Sequence, residues 1–233
     1  MMEKKRIQLI DGLRGLAVVM MVIHHFLFDL VEFLEAPGFL FSNPIVDSLH
    51  YIFASLFILL SGISSRFSRS NVKRGIRVLL VAFAISVVTY IIDMPIRFGV
   101  LHLLGFCMVV YGLTSKIYDY VPDVIMPLLC IVLLALSALV TKIPTDKTYL
   151  WMFGWTYPEF YSADYFPIFP WFFVFIFGTW VGKYIVAGKF PRWFYEKEIP
   201  FFPLIGRKAL IIYIVHQPIL YCITMGIKYL AGL

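Results

Sequence analysis

The chain has 233 residues, 61% of them apolar and only 15% charged, with a mean hydropathy of +0.87. A soluble domain carries about 25% charged residues, so this balance argues against a water-soluble fold built around a single core. The net charge of +6 gathers at the ends of apolar runs and reads as a membrane-topology signal, with no nucleic-acid surface implied.

Crossing a bilayer as a helix takes about 20 mostly apolar residues, fewer where the ends snorkel. Seven stretches qualify in chain order: 8–30, 49–65, 77–92, 98–115, 124–141, 166–186 and 208–228. Residues 1–6 run straight into the first of them without a cleavage site, so no signal peptide is expected. The expectation is an all-α integral membrane protein of about seven transmembrane helices forming one domain, 1–233. Sixteen of the twenty Lys and Arg fall on one side of such a topology, among them Lys4, Lys5, Arg6 and Arg14, the run Arg66–Arg77, and the loop 183–208. The first loop on the other side, 31–49, has no Lys or Arg. The positive-inside rule then puts the N-terminus in the cytoplasm and the C-terminus outside. Localisation in the cell membrane follows.

The first span carries the most informative pattern. At about 100° per residue, Asp11, Arg14, His25 and Asp29 fall within roughly 60° of one another, and His24 points about 100° away. Charges at membrane depth cost at least about 2.5–3.5 kcal/mol each, so such a stripe is a functional-site signal. Arg14 and His25 lie about 16 Å apart along the axis, Arg14 at the cytoplasmic boundary and His25 beyond the midplane. Asp29, one turn past His25, is placed to accept an imidazole N–H and fix its tautomer, the arrangement of a general base. His24, off the stripe, is read as a packing residue.

Further along the chain, His102 enters the fourth span near its outer end, and His50 begins the second span at the outer surface. Asp164 and Tyr165 sit at the outer mouth of the sixth span, after a loop, 142–165, rich in Tyr, Trp and Phe. Those aromatics read as an interfacial belt, with sugar stacking as the sharper alternative. The inner loop 183–208, basic and broken by Pro191, Pro200 and Pro203, is expected to lie along the headgroups. His216 occupies the middle of the seventh span, where Pro218 frees a carbonyl one turn back. Arg14, Arg66, Arg74, Arg77 and Arg207 cluster at cytoplasmic helix ends, a setting suited to bidentate phosphate binding as well as to anionic lipid. Cys107, Cys130 and Cys222 match neither a disulfide framework nor a zinc site. No metal is expected, and without a Gly-rich phosphate loop a nucleotide-driven pump is disfavoured.

Read together, Ile-Asp11-Gly-Leu-Arg14-Gly-Leu-Ala-Val…His25-Phe-Leu-Phe-Asp29, Ser61-Gly62, Phe98-Gly99-Val-Leu-His102, Asp164-Tyr165-Phe-Pro167-Ile-Phe-Pro170-Trp171 and Gly206-Arg207…Tyr213-Ile-Val-His216-Gln217-Pro218 resemble the heparan-alpha-glucosaminide N-acetyltransferase-like membrane proteins of bacteria. Arg14 and His25, ten residues between them, also resemble the Arg-x10-His signature of the wider transmembrane acyltransferase superfamily. The resemblance implies an acyl-CoA, acetyl-CoA first of all, as cytoplasmic donor and a sugar or glycan amine or hydroxyl as acceptor on the far side. In that reading Arg14 helps hold the donor and His25 acts as the base. Their placement adds Asp29 and His102 to the expected chemistry, Arg66, Arg77 and Arg207 to donor binding, and Asp164, Tyr165 and His216 to acceptor contact. The lysosomal members have extra spans and a His in the loop after the first span. Here that loop, 31–49, has none.

Two other readings use the same residues. A proton-coupled transporter or permease would conduct through the buried stripe, and a haem protein would draw on His24, His25, His102 and His216. Neither needs an arginine at the Arg-x10-His spacing. The expected partners are the lipid bilayer, an acyl-CoA and a sugar or glycan acceptor, without nucleic acid. A homo-oligomer is compatible with the sequence and not required by it.

Overall fold

The structure, a computed structural model, describes residues 6–147 and 149–232; Lys4 and Lys5, which contribute to the basic bias, lie outside them. The described residues form helices, short turns and loops. They contain no β-strand, only one isolated backbone bridge between Phe98 and Tyr165. The long helices are α1 (Gln8–Phe33), α2 (Pro44–Ser65), α3 (Asn71–Ile91), α4 (Val100–Tyr120), α5 (Ile125–Val140) and α6 (Ile168–Val186). Two short ones, α7 (Arg192–Glu196) and α8 (Phe202–Arg207), precede α9 (Ala209–Ala231). Six of these helices are long and apolar enough to cross a membrane. The other apolar one, α5, has 16 residues and a length of about 24 Å at 1.5 Å per residue.

Every expected span is a helix, and the boundaries differ where polar first turns precede the apolar run. Helix α2 starts at Pro44 because Asn43 caps it: Asn43 Oδ1 accepts from the N–H groups of Ile45 and Val46, each at 3.0 Å. Proline at the first helical position needs no donor of its own. Helix α3 starts at Asn71, with Ser70 Oγ accepting from Lys73 N–H at 3.3 Å.

The chain divides into two compact units, Met1–Phe57 with Phe190–Leu233 and Ile58–Lys189. In the first, α1 packs on α8 and α9. The contact with α8 is made backbone to backbone: a Cβ on Gly15 would overlap Phe202 O, and one on Gly206 would overlap Asp11 O. Only glycine permits this approach, the small-residue packing of membrane helices. The segment before α9, expected to lie along the headgroups, holds α8 docked on the first turns of α1. After Pro200, the chain turns at Phe201, with φ of 64°, and docks α8 against α1.

In the second unit α3 packs on α4 and α5 on α6. The end of α2 crosses α6 through Gly62 and Gly178, where a Cβ on either would overlap a backbone carbonyl of the other helix. Ile58, Leu103, Phe175, Tyr111 and Thr179 are fully buried there. By contrast α5 exposes Ile125, Leu128, Ile131, Leu136 and Leu139, an apolar face suited to lipid. Between α4 and α5, Asp123 accepts from Lys183 Nζ at 2.6 Å. That hydrogen bond from an ammonium holds the Asp123 carboxyl below the usual carboxylate range.

Candidate active site

Helices α1 and α9 bring two histidines into contact across 191 positions of sequence: His25 Nδ1 lies 2.7 Å from His216 Nε2. The proton positions follow from what surrounds His216. Its Nδ1 faces two backbone carbonyls one turn back, Tyr213 O at 2.7 Å and Ile212 O at 3.2 Å. Carbonyl oxygens only accept, so Nδ1 carries the hydrogen, and in the neutral ring Nε2 is then a bare lone pair. A 2.7 Å contact to that lone pair requires a donor, which makes His25 Nδ1 the protonated nitrogen. The remaining nitrogen of His25, Nε2, is therefore unprotonated. A lone pair held this way is what a general base needs.

Asp29 is not the partner expected for His25. Its Oδ1 accepts from Gln217 Nε2 at 2.7 Å, so the residue that follows His216 on α9 meets the residue one turn beyond His25 on α1. Asp29 is fully buried, and neither its Oδ2 nor Gln217 Oε1 has a hydrogen-bond partner among the described residues. The two rungs, His25 with His216 and Asp29 with Gln217, make a polar ladder between α1 and α9.

His24 points the other way, as its helical phase requires, and packs ring on ring. Its ring stacks on His50 of α2 with centroids 4.1 Å apart and lies 5.8 Å from the ring of His25. Four of the five histidines thus form one file. The early start of α2 places His50 nearly two turns inside the helix instead of at its first residue. The Asn43-Pro44 pair is the sequence signal for that start.

Toward the start of α1, Asp11 bridges two arginines. Its Oδ1 accepts from Arg14 Nη1 at 2.9 Å, and Arg207 Nε lies 3.5 Å from Oδ2. Two guanidinium groups on one carboxylate leave a net positive charge, with the Arg207 side chain 39% exposed. Backbone contact of Gly206 with Asp11 fixes Arg207 at this position.

The other expected site residues lie in the second unit. His102 caps its own helix: Nδ1 accepts from Gly99 N–H at 3.2 Å, and Nε2 lies 3.3 Å from Ser86 Oγ, which donates to Ile96 O. Asp164 Oδ2 accepts from Val100 N–H at 3.2 Å at the same helix start. Gly99 has no Cβ there because one would overlap that carboxylate oxygen. Tyr165 donates to Trp151 O. Burial pushes its phenol up to about 12, so it stays a donor at neutral pH. Trp151 stacks on Phe160, which meets Tyr157 and Tyr165 edge to face, and Arg97 lies over Phe160. Arg66 is held by Thr179 O at 3.0 Å, by Asp119 at 2.8 Å and over the Tyr111 ring. Arg77 is exposed on α3. Among the described residues no group of His, Cys, Asp or Glu could hold a metal ion.

No curated protein and no solved structure matches the chain. The family model for heparan-alpha-glucosaminide N-acetyltransferase, catalytic, matches residues 6–218, from the start of α1 to Pro218 in α9 and so across every residue of the two rungs. With nearly the whole chain matched, it belongs to the heparan-alpha-glucosaminide N-acetyltransferase catalytic family of membrane acyltransferases.

Proposed function

We propose that this chain transfers an acetyl group from acetyl-CoA, presented from the cytoplasm, to an amine or hydroxyl of a sugar or glycan on the far side of the cell membrane, with His25 as the general base. The observation that carries the assignment is the contact between His25 and His216, whose proton positions leave His25 Nε2 free to take a proton. As the acceptor attacks the thioester carbonyl, Nε2 removes its proton. The imidazolium formed keeps its Nδ1–H bond to His216 Nε2, and the carbonyls of Tyr213 and Ile212 stabilise the charge that spreads into His216. The C–S bond then breaks, and the CoA thiolate leaves as the thiol. Family membership supports the reaction and the donor; the geometry of α1 and α9 supports the base.

Arg14 and Arg207, flanking Asp11, are the groups we assign to the donor's phosphates. Arg66, satisfied by Asp119 and Thr179, is assigned to holding α2, α4 and α6. Asp29 and Gln217 line the acceptor side of the ladder. The two units act as one catalytic domain, inserted with the basic ends of the helices in the cytoplasm and with α5 as the seventh crossing.

Purified protein in liposomes should move label from acetyl-CoA to an amino sugar. His25→Ala should lower the rate about 10²–10⁴-fold, the usual contribution of a general base. Full activity in that variant would remove His25 from the chemistry.

A further inference from the structure

Acetylating an amine leaves a proton to dispose of, whereas acetylating a hydroxyl does not. An alkyl ammonium loses two protons as the C–N bond forms and the C–S bond breaks. One ends on the CoA thiol and the other must reach water. A hydroxyl has one proton, which ends on the thiol. An amine that enters as the ammonium therefore leaves a base at membrane depth with a second proton, which has to be released once per turnover.

His216 cannot empty it. Its outer nitrogen, Nδ1, ends on the carbonyls of Tyr213 and Ile212, and carbonyls pass no proton onward. The other histidine ring beside His25 is His24, at 5.8 Å between centroids, and His24 in turn stacks on His50, at 4.1 Å. Rings 5.8 Å apart are within reach of a bridge by one water or a ring rotation. His24 Nδ1 is buried with no hydrogen-bond partner among the described residues. Phe41 packs on His24 at 4.9 Å, with Phe28 behind it at 5.4 Å, so that side of the file is walled by groups that carry no proton. His50 follows Asp47 by three residues on α2, and Asp47 is an exposed carboxylate in the first turn of that helix.

We propose that His24 and His50 form the proton exit of this enzyme for an amine acceptor, passing the proton from His25 to Asp47 and water at the start of α2. The proposal rests on the acetyltransferase reading given above. His24 and His50 touch neither reacting group. They act by returning His25 to its neutral form.

The test is His50→Phe, which keeps a ring against His24 and removes the proton carrier, measured in rapid-mixing assays with acetyl-CoA and an amino-sugar acceptor. The expected result is a first turnover at the wild-type rate, followed by steady-state turnover about tenfold slower, an order below loss of the base itself. Added imidazole should restore it. His24→Phe should behave in the same way. A merely structural role would slow the first turnover too and would not respond to imidazole. Wild-type steady-state turnover in His50→Phe, or a slow first turnover without rescue, overturns the exit. A wild-type protein that transfers no acetyl group overturns the acetyltransferase reading and the exit with it, so the two failures are told apart by the wild type alone.

Discussion

Two backbone carbonyls on α9 decide which nitrogen of His25 is free. Tyr213 O and Ile212 O fix the hydrogen of His216 on Nδ1, and the 2.7 Å contact carries that choice to His25. A side-chain carboxylate could do the same work, and the i, i+4 spacing of Asp29 suggests it. In the structure the Asp29 carboxyl is taken up instead by Gln217 of α9. The two arrangements differ in what they predict. His216→Phe keeps the ring volume but removes the acceptor, so His25 loses its orientation and its preferred tautomer. We expect kcat to fall about 10²-fold with KM little changed. Asp29→Asn leaves an oxygen for Gln217 and should cost less than about tenfold. Steady-state kinetics on the two variants checks the order, and a larger loss in Asp29→Asn would return Asp29 to the role its spacing suggests. The residues themselves were legible: composition and helical phase single out His25, Asp29 and His216 as polar groups at membrane depth. Their pairing was not, because it depends on α1 and α9 lying side by side across 191 positions, and no local periodicity encodes which helices become neighbours.

Elements were legible to the extent that apolar length alone defines them. Each expected span became a helix because the backbone of a segment in lipid must satisfy its hydrogen bonds internally. The missed boundaries are those written in polar residues, Asn43 before α2 and Ser70 before α3. Missed too was α8, six residues long, which reads in the sequence as a Pro-broken basic loop. What folds it is the fit of Gly206 and Gly15 against facing backbone, a contact visible only once the helices are placed. Helix α8 matters because it carries Arg207 to Asp11. In Gly206→Ala the new Cβ would overlap Asp11 O, and α8 would have to lift from α1. The expected outcome is loss of one charged contact to the donor, about 1.5–3 kcal/mol, or roughly 10–100-fold in KM for acetyl-CoA, with kcat held. The check is a titration of acetyl-CoA at saturating acceptor. An unchanged KM would separate α8 from donor binding.

For the molecule as a whole, topology turns on whether the short helix α5 crosses. Between the loop before α2 and the segment carrying α7 the chain runs through α2, α3, α4, α5 and α6. With α5 across the bilayer there are five crossings, and the two segments lie on opposite sides. Without it there are four, and they lie on the same side. The second case would place Arg192, Lys197, Arg207 and Lys208 across the membrane from Arg69, Lys73 and Arg74, against the positive-inside rule. Sixteen residues give about 24 Å against a hydrocarbon core of about 30 Å. We propose that α5 crosses, with local thinning and the flanking residues making up the difference at fractions of a kcal/mol per Å. The exposed apolar face of α5, with Leu139 at 63% and Leu128 at 62%, fits lipid contact along its length. Single cysteines placed in a Cys222→Ser background test this directly, because Cys107 and Cys130 are buried and only Cys222 is exposed. Ser42→Cys should react with a membrane-impermeant maleimide on intact cells. Lys197→Cys should react only after the cells are permeabilised. Labelling of both from outside would mean that α5 does not cross, and labelling of Lys197→Cys alone would mean that the whole chain is inserted the other way round, with the basic mouth at Arg14 and Arg207 facing away from any cytoplasmic donor.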